Sequence, residues 1–317
     1  MTKAKTKTEK KVRVKEKNVF KKNWEFLLMV LPGTLFVLVF SYLPMIGILI
    51  AFKSIDYSKG IIMSPWVGLQ NFRFLFDNPD VWIILRNTIG YNLVFLTLGA
   101  VCPVAVAIMM SRMTNKRTVK VYQTMMMLPH FISWVVVSYI VYAFLSYSYG
   151  LLNTSLLPAL GMEPIDWYTH KQYWPFILVF LSTWKGLGYG AVVYIAAIAG
   201  IDTSLYEAAA IDGATKWQQT RYILIPELMS VIVIMLILKI GGMFSADFGL
   251  FYNIPMERGE LFPVTNVIST FVYRALKING DIGMSSAVGF LQSVVGFVLI
   301  MLSNGIVRLI DEEKSLF

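Results

Sequence analysis

The sequence has one cysteine, two histidines and little charge. Its 317 residues are 15% charged, against roughly 25% in an ordinary soluble domain, and its mean hydropathy is +0.62. The lone Cys102 excludes an internal disulfide. Set in an apolar run, it reads as a buried small hydrophobe. His130 and His170 lie far apart in the chain and are expected near opposite membrane faces, so no metal site is expected. No G-x-x-x-x-G-K-[ST], H-E-x-x-H, C-x-x-C or G-x-S-x-G pattern occurs, which argues against an ATPase, a metalloprotease or a serine hydrolase.

What is present is hydrophobic residue, at 56% of the chain, and a formal charge of +9 that is unevenly placed. Residues 1–22 hold ten of the 28 basic residues and two of the 19 acidic ones; this segment carries +8 and the remaining 295 residues carry +1. A basic tail (residues 1–23) beside a nearly neutral apolar body points to a membrane protein in contact with lipid and not to a nucleic-acid binder. The first apolar run is too long for a signal-peptide core of about 7–15 residues and has no A-x-A-like site after it.

A helix that spans about 30 Å of hydrocarbon needs about 20 mainly apolar residues. Six segments qualify, near 27–52, 88–111, 124–147, 174–200, 222–245 and 286–309. Backbone polar groups in lipid must be paired within the segment, so all six are expected as helices and the fold as all-α. Lys and Arg concentrate in the tail and in the loop holding Arg112, Lys116, Arg117 and Lys120. By the positive-inside rule that places both termini, and the loops near 112–123 and 201–221, in the cytoplasm. Loops near 53–87, 148–173 and 246–285 are then external. Within the last, Thr265–Leu276 has apolar spacing suited to a short amphipathic helix on the outer surface.

The loop between spans four and five carries the densest signal. Ser204 followed three residues later by Glu207 predicts a capping box and a helix start. Ala208, Ala209, Ala210 and Ala214 favour helix and present little bulk. Gly213 permits a break, and Pro226 suits the first turn of the next helix. The expectation is a short surface helix over about 204–214, with a flat small-residue face for docking. Glu207 either caps its own helix or also accepts a bond from a partner.

This loop resembles the EAA motif of ABC importer permeases, EAA-x3-G-x9-I-x-L-P. Glu207-Ala208-Ala209, Gly213, Ile223 and Pro226 stand at the required spacing, with Ile225 in place of the usual Leu. The stretches LPGTLFVLVFSYLPMIGILIAF, VGLQNFRFLF, ILRNTIGYN, LPHFISWVVV, ADFGLFYNIP and DIGMSSAVGFLQSVVGF are similar to the permeases of polysaccharide and complex-oligosaccharide importers. The resemblance implies a six-span permease of the type I importer fold, in the bacterial cytoplasmic membrane. Its implied partners are a second homologous permease, two ATPase subunits and an extracellular solute-binding lipoprotein. It implies that residues 24–317 form the permease domain and that Glu207, Ala208, Ala209, Asp212, Gly213 and Pro226 belong to the coupling contact. This chain would then be no enzyme and hold no cofactor, with ATP-Mg bound by the partner ATPase.

A saccharide path calls for aromatic rings and polar groups. Trp184, Lys185, Tyr189 and Tyr194 in span four, with Gly186, Gly188 and Gly190 between them, are the first candidates; Tyr142 and Gln292 follow, with Trp134 and Tyr139. A lysine inside a membrane marks a cavity or a polar partner unless it snorkels outward. That choice is open for Lys185 and for Lys239, which could also reach Asp247. The glycines allow either local unwinding or close helix approach. His130 is expected as a packed histidine bonded to a nearby carbonyl, and residues 311–314 as a solvated end. The rival readings are an ATP-independent transporter or channel, which would need more intramembrane acids, and a membrane enzyme, which would need a cluster of acids or histidines at one face.

Overall fold

The computed structural model describes residues 23–316; the basic tail lies outside them save for Asn23. The described residues are helical, and the only β-type pairing among them is an isolated antiparallel bridge between Lys53 and Trp66. Five helical runs are long and apolar enough to cross a membrane: Trp24–Phe52, Val81–Ser111, Lys171–Ala199, Lys216–Gly241 and Ile282–Ile310. The chain divides into two units after Leu49. In the first, helix α1 (Trp24–Val37) is apolar on every side and none of its residues is buried, the character of a span that faces lipid.

The second unit contains the other long helices. These are α2 (Val81–Ser111), α5 (Trp174–Ala199), α7 (Ile225–Gly241) and α10 (Ile282–Ile310). The segment expected as a third straight span is instead two helices, α3 (Lys116–Phe131) and α4 (Trp134–Leu145), bent by 97°. The cause is local. Pro129 cannot donate into the helix, Ile132 and Ser133 take extended backbone, and the Ser133 hydroxyl accepts from Val136 N at 3.3 Å to start a new helix.

Small residues set how closely the helices pack. A side chain at Gly188 of α5 would overlap the Met126 carbonyl of α3, and one at Gly190 would press on Pro103 of α2. On the far side Gly296 of α10 lies against the Gly241 carbonyl. Helix α5 is unbroken, so the glycine cluster serves close approach and not unwinding; the helix it meets is the one that breaks. The main core gathers Val137 and Val141 of α4, Trp174 and Leu178 of α5, and Leu250, Phe251 and Ile254 around helix α8 (Phe248–Asn253).

Polar side chains stitch the loop that follows α7 to α2. Asn87 donates to the carbonyls of Pro263 (3.1 Å) and Asn266 (3.0 Å), Tyr91 to Val264 (2.8 Å), and Ile268 N to the Thr88 hydroxyl (3.0 Å). The amphipathic segment is helix α9 (Ile268–Lys277), but Ile268, Thr270 and Ala275 are buried against α2, α8 and α10 instead of lying out on a surface. The chain end is not free either: Leu316 N donates to the buried Asn304 side chain at 2.6 Å, and Lys314 pairs with Asp311. Cys102 is half-buried, not fully enclosed.

Candidate functional site

Helix α6 (Thr203–Ile211) stands in the loop between α5 and the run Lys216–Gly241. Its N-cap is two residues earlier than the capping box on Ser204 predicts. Asp202 is the N-cap and its carboxylate accepts from Ser204 N at 2.9 Å, so Glu207 is left pointing to solvent. Ser204 N–H first, then its side chain, hold the Asp202 carboxyl below the usual carboxylate range. The far end is a Schellman closure. Ala214 N donates to Ala209 O at 2.8 Å and Gly213 N to Ala210 O at 3.1 Å, with Gly213 at φ +80°. Only glycine takes that conformation without strain, while nothing lies within 4 Å of where its side chain would be. The motif's glycine is thus required by its backbone and not by crowding.

The face so made is open. Glu207, Ala208, Ala210, Asp212 and Gly213 are exposed, and Ile211 is 86% exposed. Tyr206 points the other way; burial raises its pKa, and its hydroxyl has no partner among the described residues. Beyond Gly213, Thr215 and Gln218 form a capping box that starts the next helix. Pro226 is the second residue of α7 and so stands in its first turn, as expected, and a wide π turn over Thr220–Leu224 leads into it from the helical run that begins at Lys216. Arg112, noticed in the sequence only as a topology signal, anchors this segment to the end of α2. It donates to Lys216 O (2.9 Å) and to the Thr220 hydroxyl (2.5 Å).

Inside the membrane region the lysines have a common pattern. Lys185 donates to the carbonyls of Pro129 (3.2 Å), His130 (2.7 Å) and Ile132 (2.6 Å), where α3 ends; the first of these also accepts from Ile132 N at 3.3 Å. Its ammonium also lies 5.2 Å from the Trp134 ring centre, and Trp134 Nε1 donates to Asp247 at 2.8 Å. Lys185 is thus an internal polar partner and does not snorkel. Lys239 is exposed and donates to Gly99 O at 2.7 Å. That carbonyl would normally serve the N–H four residues on, which is Pro103 and has none. Lys53, expected as a loop charge, is buried and donates to Ile61 O and Ile62 O.

A cavity of about 560 Å³ opens between α2, α5 and α7. Of the expected path residues it brings together Tyr189 and Tyr194, with Gly186, Gly190, Lys239, Asp247 and Asn92. Tyr189 is 54% exposed and stacks on the His130 ring at 4.7 Å. His130 is therefore an exposed stacking partner, not a packed histidine. Trp184 is packed against the core, Lys185 is committed to the helix break, Tyr142 lies edge-on to Tyr168, and Gln292 donates to Phe244 O at 2.5 Å. These four do not line the cavity. Sequence reading missed Asn92, whose side-chain amide donates to Met243 O at 2.9 Å. Among the described residues no group of histidine, cysteine or acidic side chains could hold a metal ion.

Residues 96–314 match the family described as the binding-protein-dependent transport system inner membrane component. The chain is 34% identical to the polygalacturonan/rhamnogalacturonan transport system permease protein YteP of Bacillus subtilis (strain 168), over 90% of this chain and 88% of that one. It is 33% identical to protein LplB of the same organism, over 92% and 90%. A crystal structure of a bacterial ABC transporter that imports the acidic polysaccharide alginate superposes with a TM-score of 0.83 and 31% identity, over 92% of this chain and 98% of that one. A second alginate transporter structure, in complex with an alginate pentasaccharide-bound periplasmic protein, gives 0.82 at 30% identity, over 93% and 98%. With its EAA loop, its helical spans and a family match over most of its length, the chain belongs to the binding-protein-dependent inner-membrane components, the multi-pass permeases of ABC importers.

Proposed function

We propose that this chain is one of two homologous permeases in an ATP-driven importer of an oligosaccharide or polysaccharide. An extracellular solute-binding protein delivers the cargo, and two ATPase subunits, which bind ATP-Mg, drive the cycle. The observation that carries the reading is α6: a short helix capped at both ends, followed by a segment that Arg112 anchors to the end of α2, with Glu207 and small residues turned outward. A chain without a phosphate-binding motif must receive the energy of ATP through a stiff contact. A helix that keeps its shape when pushed suits that task. Glu207, Ala208, Ala209, Asp212 and Gly213 form the contact, and the π turn before Pro226 joins it to α7.

Counting the bent pair α3–α4 as one crossing gives six spans, an even number that supports both termini on one side; the basic residues Arg112, Lys116, Arg117 and Lys120 support the cytoplasmic side of the bacterial membrane for the termini and for α6. Residues 1–23 are then a cytoplasmic tail and 24–317 the permease domain. The saccharide passes along the cavity between α2, α5 and α7, where Tyr189 offers a ring for stacking and Tyr194 and Asn92 offer polar atoms. The relatives named for polygalacturonan and for alginate support a saccharide cargo.

The test is Glu207→Arg in the assembled importer. Glu207 is exposed and its loss disturbs no contact inside the chain, so the complex should reach the membrane while uptake and binding-protein-stimulated ATP hydrolysis fall to background. Normal uptake by this variant, or purification of the chain without a second permease and an ATPase, overturns the reading.

A further inference from the structure

The loop after the first span is built inside out. The apolar run Trp24–Phe52 ends where Lys53 begins the loop, and residues 54–66 close back on that point. Lys53 pairs with Trp66 as an antiparallel bridge, Ser54 N donates to Pro65 O at 3.0 Å and Val67 N to Phe52 O at 2.9 Å. The polar groups turn inward. The buried Lys53 ammonium donates to Ile61 O at 3.1 Å and to Ile62 O at 2.5 Å, and lies 5.0 Å from the Trp66 ring centre. The Ser64 hydroxyl, also buried, donates to Gly60 O at 2.6 Å and accepts from Asp56 N at 3.0 Å. The apolar groups turn outward. The single helical turn Gly60–Met63 leaves Ile62 80% and Met63 77% exposed, with Tyr57 and Trp66 exposed beside it.

In water a loop leaves its carbonyls to solvent and covers what apolar side chains it can. Where water is scarce, carbonyls must be paired within the chain and a lysine must be compensated, often by carbonyls. The three carbonyls of Gly60, Ile61 and Ile62 are each bonded from within. Depth is set as well, because two of them bond the residue that follows the first span. No charged residue occurs from 60 to 72, while Asp56 and Lys59, just before the turn, pair with each other at 3.1 Å. Exposed Tyr and Trp beside an apolar tip are the residues of a membrane–water boundary.

We propose that Gly60–Met63, with Tyr57 and Trp66, is an interfacial foot. It does not span the membrane; it seats its apolar tip in the lipid leaflet where the first span ends, and Lys53 holds it at that depth. Lipid is the occupant because acyl chains offer no hydrogen-bond partners and the turn asks for none. By the topology proposed above this is the outer leaflet; the choice of leaflet rests on that reading, and the contact with lipid does not.

The test is the depth of a spin label on Ile62→Cys and, separately, on Met63→Cys. Each is made in a Cys102→Ser chain, assembled with cysteine-free partner subunits and placed in phospholipid nanodiscs. Both side chains are exposed, so little packing is lost. Lys59→Cys, on the charged side of the turn, is the control in water. Collisions with oxygen, which concentrates in lipid, should exceed those with a water-borne nickel chelate at both tip positions, at a depth of about 5–10 Å into the headgroup–acyl boundary. The order should reverse in the Lys59→Cys control. Fast collision of the tip labels with the nickel chelate puts the tip in water and overturns the inference. Slow collision with both reagents puts it under protein, whether the second permease or the binding protein, and overturns it equally.

Lys53→Met in the labelled chains should free the tip, so that the label moves faster and meets the nickel chelate more often. An unchanged spectrum overturns the holding role of Lys53. The depth measurement does not need that variant to assemble, since the first set of labelled chains keeps Lys53. The importer reading is judged apart, by the Glu207→Arg uptake and co-purification results, and either can fall while the other stands.

Discussion

The α6 loop and the bend between α3 and α4 do opposite things with the same problem. Each ends a helix and must satisfy the backbone groups set free. In the loop the partners are close in sequence: Asp202 with Ser204, Gly213 with Ala210, Ala214 with Ala209, and Thr215 with Gln218. At the bend the partner is Lys185, more than fifty residues from the carbonyls it serves. Near water a helix end needs only itself. Within a membrane its carbonyls have no solvent to turn to, and a distant cation completes them.

The comparison predicts unequal fragility. Lys185→Met should have the largest effect on stability, because it removes one donor from three carbonyls at once. A loss of about 3 kcal/mol or more is expected, visible as a large fall in the thermal unfolding temperature of the purified complex. Lys185→Arg should recover part of it. Unfolding unchanged in Lys185→Met would mean that water or lipid headgroups reach the bend and that the contrast with the loop is false.

Next comes Gly188→Ala. The added carbon would overlap the Met126 carbonyl, which is backbone and cannot swing aside. Overpacking of this kind costs about 1–3 kcal/mol. Gly186→Ala, two residues away with nothing within 4 Å, is the matched control and should be near neutral in stability. If both behave alike, α3 is free to move off α5 and the bend is not held from that side.

These expectations show what could be read from the sequence. The spans were legible because length and hydropathy decide them, and the coupling loop because its caps are written in consecutive residues. The bend was not legible: LPHFISW reads as one apolar run, and neither Pro129 nor Ser133 alone breaks a helix. The role of Lys185 was open between a partner and an outward reach because its acceptors become available only once the bend exists. The cavity was half legible. Tyr189 and Tyr194 belong to one aromatic-rich span and both line the cavity, but Lys239 reaches it from another helix, where it donates to the Gly99 carbonyl that Pro103 leaves free.

Gly213→Ala tests the loop's side of the contrast. With open space around it, the cost is that of a left-handed backbone alone, about 1–2 kcal/mol, and Gly213→Asn should cost less. The unfolding of the whole complex should hardly move, because α6 is exposed. The readout is hydrogen exchange at the Gly213 and Ala214 amides, together with a loss of binding-protein-stimulated ATP hydrolysis. Faster exchange with normal coupling would show that a stiff α6 is not what coupling needs.

The smallest effect expected is a dependence on pH confined to the other end of α6. The Asp202 carboxyl is held below its ordinary value by Ser204. A depressed acid stabilises where it is ionised, so its contribution is full above the unfolded-state value near 3.8 and is lost as pH falls through the lower folded value. Exchange at the Ser204 amide, corrected for intrinsic rate, should therefore speed up relative to neutral pH only in strong acid. Asp202→Asn keeps a capping oxygen without the titration and should flatten that profile. An Asp202→Asn profile identical to that of the unaltered chain would mean that the carboxylate does not cap α6, and that this helix end, like the bend, is held from elsewhere.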